Sequence, residues 1–304
     1  MAMQNNRQAR TFAVFGSTFE AVRPAPGLYL VATPIGNLGD ITVRALQVLA
    51  GCDLIACEDT RVTRRLNGHY GISTPLTPYH EHNAAQARPK LLSRLAAGEA
   101  IALVSDAGTP LISDPGYKLV RGACEAGHVV TAVPGPSAVL AALSVAGLPT
   151  DRFFFEGFLP NKQVARQKRI AVLARIPATL VVYESGSRLP AALADLAAEL
   201  GSRAAAVCRE LTKLHEEIVR GDLDSIVRHY AGDAERRGEF VIVVAPPAEE
   251  ELDHDDVDQM LRQALARTSV KDAVGEVALA TGHPRREIYR RAIALAKIDS
   301  GNDG

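Results

Sequence analysis

Residues 101–120 read IALVSDAGTPLISDPGYKLV, and the fold can be worked outward from them. The run Ile101–Val104 is short, apolar and β-branched at both ends, the pattern of a buried strand. It stops at Ser105-Asp106 and gives way to a loop holding Gly108, Pro110, Pro115 and Gly116, with two carboxylates, Asp106 and Asp114. A plain turn needs one or two special residues, so this loop is more than a connector. In an open α/β sheet, ligands bind outside the carboxyl ends of the strands, where this loop must lie. It is expected to form a floor of the active site.

The same rhythm of strand, loop and helix recurs on both sides. Upstream, 28–32 (LYLVA) is a strand, 33–40 (TPIGNLGD) a loop, and 41–50 a helix with Asp40 as its expected N-cap. A second strand, 54–57, runs into Glu58-Asp59-Thr60-Arg61 and a helix with Arg64 and Arg65, expected to stop at Asn67-Gly68. The polar segment 77–83 (TPYHEHN) precedes a helix ending near Gly98. Downstream, 129–133 is a strand that meets Pro134-Gly135-Pro136-Ser137. This βαβ series predicts a mostly parallel sheet over 27–137. From 138 to 248 a second α/β domain is expected, with strands near 153–155, 179–183, 204–208 and 240–244 and some antiparallel pairing. Residues 1–26 show no sustained period and are expected to be a mobile extension, although Phe12, Val14, Phe15 and Phe19 offer docking groups.

An acidic run follows Pro246-Pro247, and residues 249–304 have the punctuation of a small helical module. Ser269 with Asp272 three residues on fits a helix N-terminus, Gly282 a helix end and Pro284 a first helical position. Two helices so joined match a helix-turn-helix, and the second carries Arg285, Arg286, Arg290 and Arg291.

Composition narrows the classes. The chain of 304 residues is 47% hydrophobic and 23% charged, ordinary for a soluble protein of two or three domains. A net charge of −1 gives no global field toward nucleic acid, so any such contact uses local patches. Four cysteines (Cys52, Cys57, Cys124, Cys208) form no CxxC pair and read as buried thiols of a reducing compartment. No run is long enough to span a membrane, and a cytoplasmic location is expected.

The loops share a chemical bias. Thr33-Pro34, Thr109-Pro110, the 134–137 turn and 157–160 (GFLP) each pair Pro with small or apolar residues, and no Gly-x-x-x-x-Gly-Lys-Ser/Thr phosphate cradle is present. Rigid, nearly neutral loops suit a ligand with an adenine, a ribose and no phosphate, such as S-adenosylmethionine. Two other readings stand beside this one. Gly36, Gly39 and Glu58 sketch a dinucleotide fingerprint, with Pro34 where close backbone approach is needed. The C-terminal helices alone would suit a ligand-sensing DNA-binding regulator.

In order along the chain stand 30–42 (LVATPIGNLGDIT), 57–65 (CEDTRVTRR), 79–83 (YHEHN), 103–120, 133–140 (VPGPSAVL), 156–160 (EGFLP), 183–188 (YESGSR) and 208–217 (CRELTKLHEE). With these runs the chain resembles the tetrapyrrole-methylase superfamily, and within it the branch that 2′-O-methylates a cytidine in the decoding region of 16S rRNA. Ala32, Gly39, Asn67 and the long N-terminal extension depart from that pattern. The resemblance implies a two-domain tetrapyrrole-methylase-like α/β fold with a C-terminal helix-turn-helix-like module, usually a homodimer. It further implies S-adenosylmethionine between the halves, held by Pro34, Ala107, Gly108, Thr109, Ile112, Ser137, Ala138, Glu184 and Leu211.

Methyl transfer from a sulfonium to a ribose hydroxyl gains from positioning and from a general base. Asp106 and His80 are the leading base candidates, with Asp59, Glu81 and Asp114 as alternatives. His80 and His82 would share one face of a strand, but no third ligand stands at metal-site spacing, so no metal is expected. Arg61, Arg64, Arg65, Lys162, Arg166, Lys168 and Arg169 are the candidate RNA-phosphate contacts.

Overall fold

The computed structural model describes residues 10–232, 237–248, 254–281 and 283–299. The chain divides into two compact units at Pro246–Pro247. Residues 10–26 do not match the expected mobile extension. Strands β1 (Thr11–Val14) and β2 (Ser17–Glu20) form an antiparallel hairpin. Phe12 is buried and stacks on Phe19 with ring centroids 5.6 Å apart. The Ala13 amide donates to the Tyr70 carbonyl at 2.7 Å, and Arg10 and Arg23 both pair with Asp53, at 3.1 and 2.7 Å. The apolar side chains noticed in the sequence therefore do dock, and two ion pairs hold the segment down. Residues 1–9 of that extension lie outside the described residues.

The first lobe is a five-stranded parallel sheet built on the opening run. Its strands are β3 (Gly27–Val31), β4 (Leu54–Cys57), β5 (Leu76–Pro78), β6 (Ala100–Val104) and β7 (Val130–Val133), in the order β5-β4-β6-β3-β7. All five residues of the central strand β6 are buried, because both faces of the sheet are covered. Ala100, Ala102 and Val104 join one core with residues of α1 (Val43–Gly51) and with Leu66 of α2 (Thr60–His69). Ile101 and Leu103 join the other, with α3 (Ala84–Ala96) and α4 (Tyr117–Glu125). The chain thus leaves neighbouring strands β3 and β6 toward opposite faces, which opens a crevice between their carboxyl ends.

Two helix boundaries differ from expectation. Thr42, not Asp40, caps α1, accepting from the Ala45 amide at 3.1 Å, while Asp40 ends a short 3-10 turn capped by Asn37. Helix α2 continues through Asn67-Gly68 to His69, because Asn67 is buried inside it rather than turned to solvent.

The second lobe begins with α5 (Ala138–Ala146) and has the sheet order β11-β10-β12-β9-β8. Its elements are β8 (Phe153–Phe158), α6 (Gln163–Leu173), β9 (Thr179–Ser185), α7 (Leu189–Leu200), β10 (Ala204–Arg209), β11 (Glu217–Asp222), α8 (Leu223–His229) and β12 (Glu239–Val244). β8 and β9 are parallel and the other pairs antiparallel, as the changed rhythm suggested. Edge strand β11 has only Ile218 and Val219 as apolar markers, too few for a period-two signal. Apolar α5 packs on one face and α6, α7 and α8 on the other.

The C-terminal unit holds α9 (His254–Leu265), α10 (Val270–Thr281) and α11 (Arg285–Asp299) around Leu261, Ala273, Val277, Ile288 and Ala292. Ser269 and Asp272 cap α10 reciprocally, with the Asp272 amide 3.2 Å from the Ser269 hydroxyl. Gly282, the expected helix end, lies outside the described residues.

Arg166 is a correction to the expected RNA contacts. It is buried on α6 and its Nε donates to Asp195 at 2.6 Å, with Gln163 and Gln167 donating to the same carboxylate. Burial pushes the Asp195 carboxyl up, but these donors outweigh it and hold it below the usual range. A lowered carboxylate contributes stability at neutral pH that is lost as pH falls through its folded-state pKa. Replacing Asp195 by Ala leaves the Arg166 cation buried and unpaired, so urea unfolding should show a loss of about 3–5 kcal/mol. The double change Arg166→Met with Asp195→Leu should recover most of it.

Candidate active site

Three loops meet at the crevice. The Thr33 amide donates to the Gly108 carbonyl at 2.9 Å and the Gly108 amide returns a bond to Thr33 at 3.0 Å, an isolated antiparallel bridge. The Thr109 hydroxyl donates to the Pro136 carbonyl at 3.1 Å, tying in the loop after β7. Gly108 has φ +76, and a Cβ there would stand 3.3 Å from a methyl of Ile35, so glycine fits both the turn and the close approach.

Over these loops lies a cavity of about 370 Å³ walled by both lobes. The first lobe supplies residues 107–109, Ile112, Asp106 and Asp114, and the start of α5 supplies Ser137 and Ala138. From the second lobe come Tyr183, Glu184, Leu211 and Lys213. Every expected cofactor residue except Pro34 therefore lines one cavity. Pro34 lines a neighbouring one of about 260 Å³, between the 33–38 loop and α2, with Val62, Arg65 and Leu66. Among the described residues, only Asp106 lines both.

The donor set is specific. Ser137 occupies the N-cap of α5 without a side-chain cap bond, while the Val139 amide in the first turn is taken up by the Tyr183 hydroxyl. The Glu184 side chain is fully buried; one oxygen accepts from the Ser185 amide at 2.8 Å. The other stands 3.2 Å from Arg188 with no hydrogen bond. Burial pushes the Glu184 carboxyl above its usual range and the Tyr183 hydroxyl up to about 12, so Tyr183 is a neutral donor. These groups fit S-adenosylmethionine, which presents an ammonium, ribose hydroxyls and a carboxylate. Tyr183, packed edge-on to Phe155 and Phe158, was missed in the sequence; its place in the YESGSR run beside Glu184 was the available signal.

The base candidates separate by geometry. Asp59 is locked to Arg61 at 2.6 Å, which holds its carboxyl down at about 2. His80 and Glu81 line neither cavity, and His80 and His82 sit at a turn before α3, not on a strand. Among the described residues no group of three His, Cys, Asp or Glu is placed to hold a metal ion. Asp106 stands at the rim, one oxygen accepting from the Asp59 amide at 2.9 Å. Partial burial raises its carboxyl above the usual range, and does the same for Asp114.

The arginines sort as sharply. Arg169 is gripped by Glu156 through two bonds of 2.6 Å, so like Arg166 it is already neutralised. Arg64, Arg65, Lys162 and Lys168 are exposed. On the C-terminal unit, Lys271, Arg285, Arg286 and Tyr289 line a groove of about 310 Å³.

Comparison with known proteins agrees with this arrangement. Residues 27–227 match the family of Tetrapyrrole (Corrin/Porphyrin) Methylases, and residues 251–296 match the RsmI C-terminal HTH domain. The chain is 47% identical to ribosomal RNA small subunit methyltransferase I of Mesorhizobium japonicum, over 95% of this chain and 99% of that protein. It is 48% identical to the protein of the same name from Xylella fastidiosa, over 87% of this chain and 98% of the relative. Solved structures of a cobalt precorrin-4 methyltransferase (TM-score 0.54, 17% identity) and a diphthine synthase (TM-score 0.56, 16% identity) share the fold. Each covers 72% of this chain, and the matches span 94% and 89% of those chains. Matched through both its α/β lobes and its C-terminal helices, the chain belongs to the tetrapyrrole methylase family, in the group of ribosomal RNA small subunit methyltransferase I.

Proposed function

We propose that the chain uses S-adenosylmethionine to methylate the 2′-hydroxyl of a cytidine in the decoding region of 16S rRNA. The observation that carries the reading is the cavity between the lobes, lined by Ser137 and Ala138 at the start of α5, by residues 107–109 and by Glu184. The names of the relatives support small-subunit ribosomal RNA as the substrate. The enzyme is a homodimer, as the family resemblance implies, and works in the cytoplasm, where its ribosomal substrate is.

When bound, S-adenosylmethionine supplies a methyl group on a positively charged sulfur. The α5 start and Ser137 would hold its carboxylate end, and Glu184, fixed by Ser185 and Arg188, would shape the other wall. Residues 107–109 and Ile112 fix its orientation, which an in-line transfer needs. Asp106 accepts the proton of the attacking hydroxyl: it borders both cavities, and its raised carboxyl makes it a better base than an ordinary aspartate. Asp114, enclosed with Tyr183, supports the loop.

S-Adenosylmethionine at about 100 times its Kd should stabilise the purified protein by about 2.7 kcal/mol in thermal unfolding, and NAD should not. Labelled methyl should pass to small subunits lacking the modification, and mapping should find it on a cytidine ribose. Transfer to a tetrapyrrole instead would contradict the reading.

Asp106→Asn should lower kcat by about 10²–10⁴-fold with cofactor affinity retained. Only the carboxylate form accepts a proton, so wild-type kcat should fall as pH drops through the raised Asp106 pKa. That acid limb should vanish from the pH profile of the variant.

A further inference from the structure

We infer that the smaller cavity, between the 33–38 loop and α2, is the seat of the acceptor nucleotide, with Arg65 gripping a phosphate beside it. This deepens the methyltransferase reading and rests on it. The walls Pro34, Leu38, Val62 and Leu66 are apolar and present flat or branched surfaces to a base and ribose. A nucleotide splayed from a single-stranded or loop RNA offers both to such a pocket. Among the described residues Arg65 is the only cation of the lining and no carboxylate pairs with it, whereas its neighbour Arg61 is neutralised by Asp59.

Position ties the cavity to the chemistry. Asp106 is its one wall in common with the cofactor cavity, so a ribose seated here meets the base and the transferred methyl at the same edge. Helix α2 organises both ends: its N-cap residue Asp59 holds the Asp106 carboxylate, and its next turns supply Val62, Arg65 and Leu66. The opposite wall is braced before any substrate arrives. The hydroxyl of Tyr70, at the C-cap of α2, donates to the Leu38 carbonyl at 2.6 Å. On the other side Gly36 lies so close under Lys213 that a Cβ would stand 2.3 Å from the lysine chain. A wall already ordered loses little entropy on binding.

The test uses the full chain with small subunits lacking the methyl group. Arg65→Ala should raise KM for subunits at least tenfold, with cofactor Kd and thermal midpoint unchanged. The log–log salt slope of subunit binding should fall by about 0.7–0.9, the share of one phosphate. Arg65→Lys should restore part of the affinity, and Val62→Trp, which fills the cavity, should raise KM with the arginine intact. Wild-type KM and salt slope in Arg65→Ala, together with an active Val62→Trp, would overturn the inference. A wild-type chain that transfers no methyl to subunits would instead refute the function on which it rests.

Discussion

The site depends on a two-bond bridge between Thr33 and Gly108. Those residues follow neighbouring strands whose helices depart to opposite faces of the sheet, so nothing in the sheet itself would keep their loops together. A buried loop must still find partners for its backbone groups, and here each loop is the partner of the other. Once they are joined, the Thr109 hydroxyl reaches Pro136 and fixes the third loop. The Gly108 conformation is what permits the approach, since any side chain there would be strained and would press on Ile35.

The two lobes contribute differently to what lies above the bridge. The first gives backbone-rich loops, including Leu111 and Ser113 at φ +75 and +64; the second gives side chains from β9 and from the 210–213 turn. In that turn Glu210 and Thr212 also have positive φ, and Lys213 pairs with Glu210 and Glu239 at 2.9 and 2.7 Å. Non-glycine residues hold such conformations only where their surroundings over-determine them. Both strained turns border one cavity, one from each side, which is the distribution expected if pre-organised walls matter more there than local comfort.

Most of the frame was legible in the sequence because buried parallel strands advertise themselves as short apolar runs. Ile101–Val104, Thr179–Tyr183 and Phe240–Val244 each announced a strand, and the Pro- and Gly-rich loops announced the crevice. What escaped was set by contacts distant in the chain. Phe12 gave no period, yet it docks because Tyr70 and Asp53 await the hairpin. Edge strand β11 is polar because only one of its sides is paired. His80 looked catalytic beside His82, but the fold places it in a turn and in the lining of neither cavity.

The same long-range logic decides which arginines are available to RNA. With a net charge of −1 the chain as a whole does not attract a polyanion, so recognition depends on cations that the fold leaves unneutralised. Sequence proximity cannot sort them: Arg61, Arg64 and Arg65 share two turns of α2, and Arg166 and Arg169 share one turn of α6. The sorting comes from acids that the fold brings up. Asp195 takes Arg166 from 29 positions away and Glu156 takes Arg169 from 13, so both cations of this basic stretch are paired within the lobe. Asp59 takes Arg61 with its carboxylate, while its backbone amide donates to Asp106. Among the described residues no carboxylate reaches Arg65, which lines the smaller cavity, the one that has Asp106 in common with the larger. A basic motif on this scaffold is therefore a set of competitors for a few carboxylates, and on α2 both Arg64 and Arg65 stay exposed without one among the described residues.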